Sequence, residues 1–219
     1  MTRGLAGWVA AAALLLAPLQ VAEAKGPPPT LLQRLRELIG LNRTVHAGGS
    51  RSGSAVAVCV IAPRTSLDAA GDGVAVVPLP RPTLLVAEPL NEVRIDRGGK
   101  VVFQKRASST APIEGPMGWP IEPIAPGEEL TLLLRPRGAS GGDYARITLK
   151  GVSAAEQQAN EALVSRLGAD PKAWLQAVDG ALDRQQVALA WALLFAPQDP
   201  QSPELDALRQ EVWRRGCGG

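Results

Sequence analysis

Histidine, cysteine and aromatic residues are scarce in this chain of 219 residues, which has one His, two Cys, five Trp, two Phe and one Tyr. A structural zinc site takes four ligands, mostly Cys and His, so zinc chemistry is not expected. His46 is the only imidazole that acid–base or nucleophilic catalysis could use. Because aromatics are few, any hydrophobic core must consist mainly of Leu, Val, Ile and Ala.

The charge of the chain is low and unevenly distributed. The formal net charge is +2; residues 25–150 carry 16 basic and 11 acidic side chains, and residues 151–219 carry 6 basic and 9 acidic ones. Nucleic-acid binding normally needs a concentrated basic face, which neither part provides. With 46% apolar residues, the chain has enough hydrophobic material to fold rather than stay disordered.

The first 24 residues have the pattern of a secretory signal peptide. Arg3 provides a positive start, residues 5–19 carry no charge, and Ala22-Glu23-Ala24 supplies small residues at a cleavage site. The uncharged stretch is short for a membrane span, and the alternative is an uncleaved N-terminal anchor. We predict cleavage after Ala24 and a periplasmic or secreted mature chain without a transmembrane span.

Residues 25–55 are predicted to form a linker that contains one helix. The leucines between Leu31 and Leu41 recur at helical spacing after Thr30, a suitable cap, and predict a short amphipathic helix. Packing on the rest of the protein is favoured over binding to a membrane surface. The Gly/Ser-rich stretch 46–54 is interpreted as an entry loop, since a phosphate-binding loop normally follows a strand and opens a helix.

Residues 56–150 have the pattern of a β-domain. The predicted strands are Val56–Ala62, Val74–Leu79, Thr83–Ala87, Glu92–Asp96, Lys100–Arg106, Glu129–Arg135 and Tyr144–Lys150. Seven short strands separated by turns predict an antiparallel, immunoglobulin-like β-sandwich. The prolines between Pro112 and Pro126 indicate a long crossing connection, with Trp119 closing one end of the core.

Residues 151–219 have a helical period and predict a small bundle of four helices, so the fold class is α+β. Ser153 and Asp170, the latter followed by Pro171, are typical of helix starts. The third helix, about residues 184–195, is apolar nearly all round and should be buried. The predicted apolar stripes of the other three helices are Ala155, Ala159, Ala162, Leu163 and Leu167; Trp174, Leu175, Val178, Ala181 and Leu182; and Leu205, Leu208, Val212 and Trp213.

Two further expectations concern how the helices attach to the sandwich. Trp174 and Trp191 lie in apolar stripes too wide for four short helices to bury alone, so they should dock the bundle on the sandwich. Cys59 and Cys217 can form one disulfide in an oxidising compartment, worth ~4 kcal/mol in the chain-entropy model. The bond requires the last helix to return across the first strand; the alternative is a buried Cys59 thiol and a free Cys217.

The order of these parts resembles a group of uncharacterised exported proteins common in cyanobacteria. The shared features are a Gly/Ser/Arg loop (48–53) before a Cys-containing strand, a polar hairpin (96–100), a Pro-Gly-Glu turn (126–129) and an all-helical tail. The resemblance implies export, a β-sandwich and C-terminal helices. It implies no activity.

The sequence contains no recognisable catalytic, metal-ligating or cofactor-binding set. His46 lies in a predicted loop, and the chain has no Gly-x-Ser-x-Gly elbow for a serine nucleophile. The candidate ligand-binding residues are instead those of an arginine-bearing, solvent-exposed sheet face with aromatic neighbours. They are Arg94, Arg135, Arg146, Trp119 and Tyr144, with Arg137 as a further arginine.

We therefore expect an exported, non-catalytic protein of the periplasm or cell envelope that binds another protein, without a cofactor and without nucleic acid. The alternative is a binding module for an anionic glycan or polysaccharide, and an enzyme of unrecognised type is a third possibility. An apolar groove between helices and sandwich would favour protein binding. Exposed arginines beside an aromatic platform would favour the glycan, and a deep pocket with clustered ionisable groups would favour the enzyme.

Overall fold

The computed structural model describes residues 30–39, 45–48, 57–108 and 110–216. These residues form a mixed α+β fold with two sheets, mostly antiparallel, followed by helices at the C-terminal end. The predicted signal peptide, residues 49–54 of the Gly/Ser-rich stretch and Cys217 lie outside the described residues.

Ten strands and five helices are present in the described part of the chain. The strands are β1 (Val45–Gly48), β2 (Ala57–Val58), β3 (Val60–Ala62), β4 (Ser66–Leu67), β5 (Gly73–Val77), β6 (Leu85–Val86), β7 (Leu90–Arg97), β8 (Lys100–Arg106), β9 (Glu129–Pro136) and β10 (Tyr144–Gly151). The helices are α1 (Leu31–Ile39), α2 (Ala154–Leu167), α3 (Pro171–Asp183), α4 (Val187–Leu194) and α5 (Pro203–Arg215).

Most strands belong to one eight-stranded sheet. Its main path runs β2-β1-β10-β9-β7-β8, while β5 pairs with β10 next to β1 and with β4 on its other edge. The β5–β10 pair is parallel and aligns Gly73 with Ile147 and Val77 with Gly151. The prediction of purely antiparallel pairing is wrong here, because the chain between β5 and β10 is long enough for the crossover that a parallel pair needs.

The small sheet, formed by β3 and β6, lies between the large sheet and the helices. Val60 and Val86 belong to the hydrophobic core shared with the large sheet, whereas Cys59, Ile61 and Leu85 belong to the core shared with the helices. Successive strand residues point to opposite faces, so a strand buried on both faces is apolar throughout. This explains the uninterrupted apolar run at the start of the β-region.

Several predicted strand boundaries differ from the observed ones. The strand predicted over Val56–Ala62 is divided at Cys59, because β2 pairs with β1 in the large sheet while β3 pairs with β6. The strand Val45–Gly48 replaces the start of the predicted entry loop, since its backbone pairs with both β2 and β10. The strand predicted over Thr83–Ala87 is reduced to the two residues of β6.

The helix caps form as predicted. The side chain of Ser153 accepts a hydrogen bond from the backbone N–H of Glu156 at 3.3 Å, and that of Asp170 accepts one from Lys172 at 3.0 Å. Pro171 occupies the first turn of α3, where its missing N–H costs no hydrogen bond. The sequence signals for the starts of α2 and α3 are therefore confirmed.

The apolar stripe predicted for α2 is wrong in its three alanines, which are all exposed. The buried residues of α2 are Asn160 and Leu167. The side-chain amide of Asn160 donates a hydrogen bond to the carbonyl oxygen of Pro78 at 3.1 Å, and this bond makes the burial of a polar group acceptable. Alanine gains too little from burial to determine which face of a helix turns inward.

Both docking tryptophans are buried, each with 1% of its surface exposed. The indole N–H of Trp191 on α4 donates to the carbonyl oxygen of Ile61 on β3 at 2.8 Å, which confirms that this residue connects the helices to the small sheet. Trp174 belongs to the same core, but its N–H donates to Gly168 within the helical layer.

The last helix, α5, returns toward the start of the β-region. Val212 in its final turns and Cys59 belong to one hydrophobic core, together with Leu35 of α1. Cys59 is 2% exposed, while Cys217 lies outside the described residues, so their disulfide stays a prediction. Within the described residues, no helix combines the length and apolar character needed to cross a membrane.

Candidate functional site

The outer face of the large sheet carries most of the predicted ligand-binding residues. On β7, Val93 and Ile95 point into the core, so Glu92, Arg94 and Asp96 lie on the opposite face. The same alternation places Arg146 of β10 on this outer face.

Arg94, Tyr144 and Arg146 line one depression of about 330 Å³, together with Asp72 and Asp96. The guanidinium of Arg94 makes two hydrogen bonds to the carboxylate of Asp96, at 2.7 and 2.6 Å. Arg146 lies 3.9 Å from the carboxylate of Asp72. Two carboxylates thus balance the two arginines, which reduces the attraction of this depression for an anion.

Arg135 belongs to a neighbouring network around Glu92. Its guanidinium donates to the Glu92 carboxylate at 2.7 Å, and the amide of Gln104 on β8 donates to the other carboxylate oxygen. The Glu92 side chain is 2% exposed, whereas that of Arg135 is 20% exposed. A buried carboxylate with several donors is a stable structural element of the sheet, so Arg135 is not available to a ligand.

The pKa values of this network follow from its hydrogen bonds. Burial by itself raises the pKa of Glu92, but hydrogen bonds from Gln104, Arg135 and Tyr144 outweigh burial and leave the pKa below its ordinary value. Burial and the hydrogen bond to Glu92 raise the pKa of the Tyr144 hydroxyl. The hydrogen bonds to Asp96 raise the pKa of Arg94. All three groups therefore keep their ordinary charge states at neutral pH.

The two remaining candidates do not join this face. Trp119 lies in the crossing connection, packs against the core of the large sheet and donates its indole N–H to the carbonyl oxygen of Glu122 at 3.0 Å. Trp119 therefore packs against this core, and its closing of one end of the core stays a prediction. Arg137 follows the end of β9 and is exposed, and it does not line the depression.

A second concave surface lies between the helices and the β-region, and we call it the groove. Its free volume is about 760 Å³. One wall comes from α5 and the loop before it, and the opposite wall comes from the segments around β6 and the crossing connection. The lining residues are Thr83, Leu85, Pro116, Gly118, Phe195, Ala196, Pro197, Asp199, Gln201, Asp206, Arg209, Gln210 and Trp213.

Arg209 fixes the helical wall of the groove. Its guanidinium donates to the carbonyl oxygen of Leu194 at 2.8 Å and to the carboxylate of Asp206 at 2.6 Å, and it forms an ion pair with Asp199. These contacts join α4, the following loop and α5. Burial lowers the pKa of Arg209, although a guanidinium remains charged at any physiological pH.

Trp213 lies on the rim of the groove with 43% of its surface exposed. The sequence prediction placed it in the apolar stripe of the last helix, and this is wrong because Leu205, Leu208 and Val212 already fill the buried face of α5. A periodicity argument assigns every apolar residue to the core. The one available signal was that Trp213 follows Val212 directly. Adjacent residues of a helix point in different directions, so Trp213 does not lie directly above or below Val212 on the buried face.

A further narrow crevice, lined by Arg64 and Arg81, adjoins the groove. Sequence reasoning singled out neither arginine, because isolated arginines in turns carry no motif. Among the described residues, no three His, Cys, Asp or Glu side chains are grouped so that they could hold a metal ion. Comparisons with protein-family models, with curated proteins and with solved structures each find no match.

Proposed function

We propose that this protein is an exported, non-catalytic binding protein of the periplasm or cell envelope, and that it holds a segment of another protein in the groove. The observation that carries the proposal is the groove itself, an open surface beside Trp213 at the junction of helices and sheets. Binding energy at protein interfaces concentrates on a few aromatic and arginine anchors. An exposed Trp beside a concave surface is such an anchor.

The shape of the groove supports a peptide-like occupant. Its two walls belong to different layers and are held by the core between them, so the groove is preformed. Phe195 and Pro197 provide apolar surface next to the amides of Gln201 and Gln210. Such a surface suits an extended chain, whose side chains seek apolar contacts and whose backbone seeks hydrogen-bond partners.

Location and fold class are part of the same proposal. The signal-peptide pattern and the resemblance to exported cyanobacterial proteins support export. The order β8-β7-β9-β10 in the large sheet, opposite a small sheet of β3 and β6, supports an immunoglobulin-like class, in which hairpin pairs of one sheet face a second sheet. The sole imidazole, His46, supports a role without catalysis.

Site-specific photo-crosslinking tests the groove. A benzoylphenylalanine at Gln210, an exposed position in the groove, should form an adduct with one envelope protein in living cells. The same probe at Lys172, exposed at the start of α3, serves as the control. The purified partner should then bind the wild-type protein and bind Trp213→Glu at least tenfold more weakly. Equal adducts at both positions, or unchanged affinity of the variant, would refute the proposal.

The anionic-glycan alternative is supported by one observation, the convergence of Arg94, Tyr144 and Arg146 on one depression. Affinity electrophoresis in gels that contain polygalacturonate tests it directly. If the glycan hypothesis is right, the gel should retard the Arg146→Gln variant less than the wild type. The control variant Arg166→Gln changes an exposed arginine of α2 and should be retarded like the wild type. Equal migration of all three proteins with and without polygalacturonate would reject an anionic glycan of this type.

A further inference from the structure

Arg64, in the turn after β3, differs from the other partly buried arginines. Five arginines have a side-chain nitrogen that is both inaccessible to solvent and without a hydrogen bond, namely Arg34, Arg64, Arg97, Arg135 and Arg209. The other four each form an ion pair with a carboxylate. Among the described residues Arg64 has no such partner, and desolvation lowers its pKa. Removing water from a charged guanidinium costs free energy, and an anionic partner compensates for this cost. Arg64 lacks such a partner among the described residues, so a bound anion would be stabilising.

The surroundings of Arg64 form the crevice. Arg81 lines it from the loop before β6, and Trp191, Ala192 and Phe195 of the α4 region form an apolar wall. None of the lining residues is acidic, so the charges of Arg64 and Arg81 are not neutralised within it. A low-polarity wall strengthens the attraction between these arginines and an entering anion.

The size of the crevice limits what can enter. Its free volume is about 20 Å³, which is the space of one group the size of a water molecule. A whole small-molecule ligand does not fit in this volume, but one oxygen at the end of a side chain does. Guanidinium groups bind carboxylates with particular strength, because two N–H donors match the two oxygens.

The crevice and the groove are neighbouring cavities that share part of their lining. Thr83, Phe195 and Ala196 line both of them, so one extended segment can occupy the groove and insert a side chain into the crevice. Building on the proposed function, we propose that the bound segment carries an Asp or Glu whose carboxylate pairs with Arg64 and Arg81, a few residues from an apolar side chain that packs on Trp213.

Selection from a phage-displayed library of random twelve-residue peptides tests this inference on the mature protein. Peptides selected on the wild type should be enriched in one acidic residue at a fixed distance from an apolar one. A synthetic selected peptide, measured by fluorescence anisotropy, should bind Arg64→Gln about tenfold or more weakly. Replacing the acidic residue of the peptide with its amide should cause the same loss, with no further loss when both changes are combined.

The controls separate this inference from the proposed function. Arg166→Gln is a matched exposed control and should bind like the wild type. Arg81→Gln, at an exposed position, should also weaken binding and provides the test if Arg64→Gln does not fold. Selected peptides without an acidic residue, or Arg64→Gln and Arg81→Gln variants that bind the peptide as tightly as the wild type, would overturn the carboxylate anchor but leave the groove as a binding site.

Two other outcomes would contradict more than the carboxylate anchor. If the library gives no more peptides on the wild type than on Trp213→Glu, the groove does not bind a protein segment, and both proposals fail. If the inference is correct, free succinate should not compete with the labelled peptide at millimolar concentration. Competition as strong as that of the unlabelled peptide would show that a small dicarboxylate is the ligand rather than a protein segment.

Discussion

Replacing Trp191 with Ala should cost about 3–5 kcal/mol of unfolding free energy. The side chain is 1% exposed and lies in the core shared by the helices and the small sheet, so truncation leaves a large cavity. It also removes the donor that serves the Ile61 carbonyl oxygen at 2.8 Å. Of the total, about 1–3 kcal/mol comes from leaving this buried carbonyl oxygen without a hydrogen-bond donor.

The more conservative Trp191→Phe separates the two contributions. Phe keeps most of the aromatic volume but has no N–H, so the loss should be about 1–3 kcal/mol. Trp213→Ala is the matched control, because Trp213 is 43% exposed and its removal should change stability by less than about 1 kcal/mol.

Urea denaturation followed by far-UV circular dichroism measures all three variants without relying on tryptophan fluorescence. The slope of free energy against urea should be similar for each protein, so that midpoint shifts report stability. A loss below about 1 kcal/mol for Trp191→Ala would show that this residue is accessible and that the helices are not docked through it. A loss for Trp213→Ala as large as that for Trp191→Ala would contradict the burial argument.

Three further predictions concern processing, redox state and pH. N-terminal sequencing of the protein from the exported fraction should begin at Lys25. Non-reducing peptide mapping of the same material should give one linked pair containing Cys59 and Cys217. The native network holds the pKa of Glu92 below its ordinary value, so its stabilisation is complete above about pH 4.3, the ordinary Glu pKa, and is lost as the pH falls through the lower native pKa. Glu92→Gln should remove this part of the acid sensitivity in urea titrations at several pH values.

Each of these measurements has an outcome that would contradict it. Recovery of the full-length chain from the cytosol would contradict the prediction of a cleaved signal peptide. Alkylation of two free thiols in exported protein would reject the disulfide and the inferred path of the tail. For the pH effect, Asp170→Asn is a suitable comparison, since that carboxylate is an exposed helix cap. An acid sensitivity of Glu92→Gln equal to that of the wild type would show that Glu92 does not cause it.

Local signals in the sequence predicted much of the fold. The caps at Ser153 and Asp170, the Gly98-Gly99 turn with φ angles of +56° and +76°, and the buried α4 are all local features. Each depends on a few adjacent residues whose conformational preference is strong. The apolar run before Pro63 was also recognised as a buried strand, because no polar residue interrupts it.

Features that depend on distant contacts were not predicted. The parallel pairing of β5 with β10 depends on residues about 70 positions apart, and nothing near either strand encodes it. The candidate site shows the same limit. Arg94 and Arg146 were correctly placed on the outer face by strand alternation, but their carboxylate partners, Asp96 and Asp72, were not. Arg64 was overlooked because the lack of a partner is a property of the folded chain.

The small sheet contributes residues to two hydrophobic cores, one with the large sheet and one with the helices. The β3–β6 sheet is therefore fully buried only after the C-terminal helices have folded onto it. Ile61 on β3 receives its hydrogen bond from Trp191, 130 positions later in the sequence. Until the C-terminal helices arrive, one whole face of β3 and β6 is exposed apolar strand, which is prone to aggregate. A chain that crosses a membrane from its N-terminus would need protection of this face until its last helices emerge. Truncation before α4 should therefore yield an aggregating product rather than a smaller stable domain.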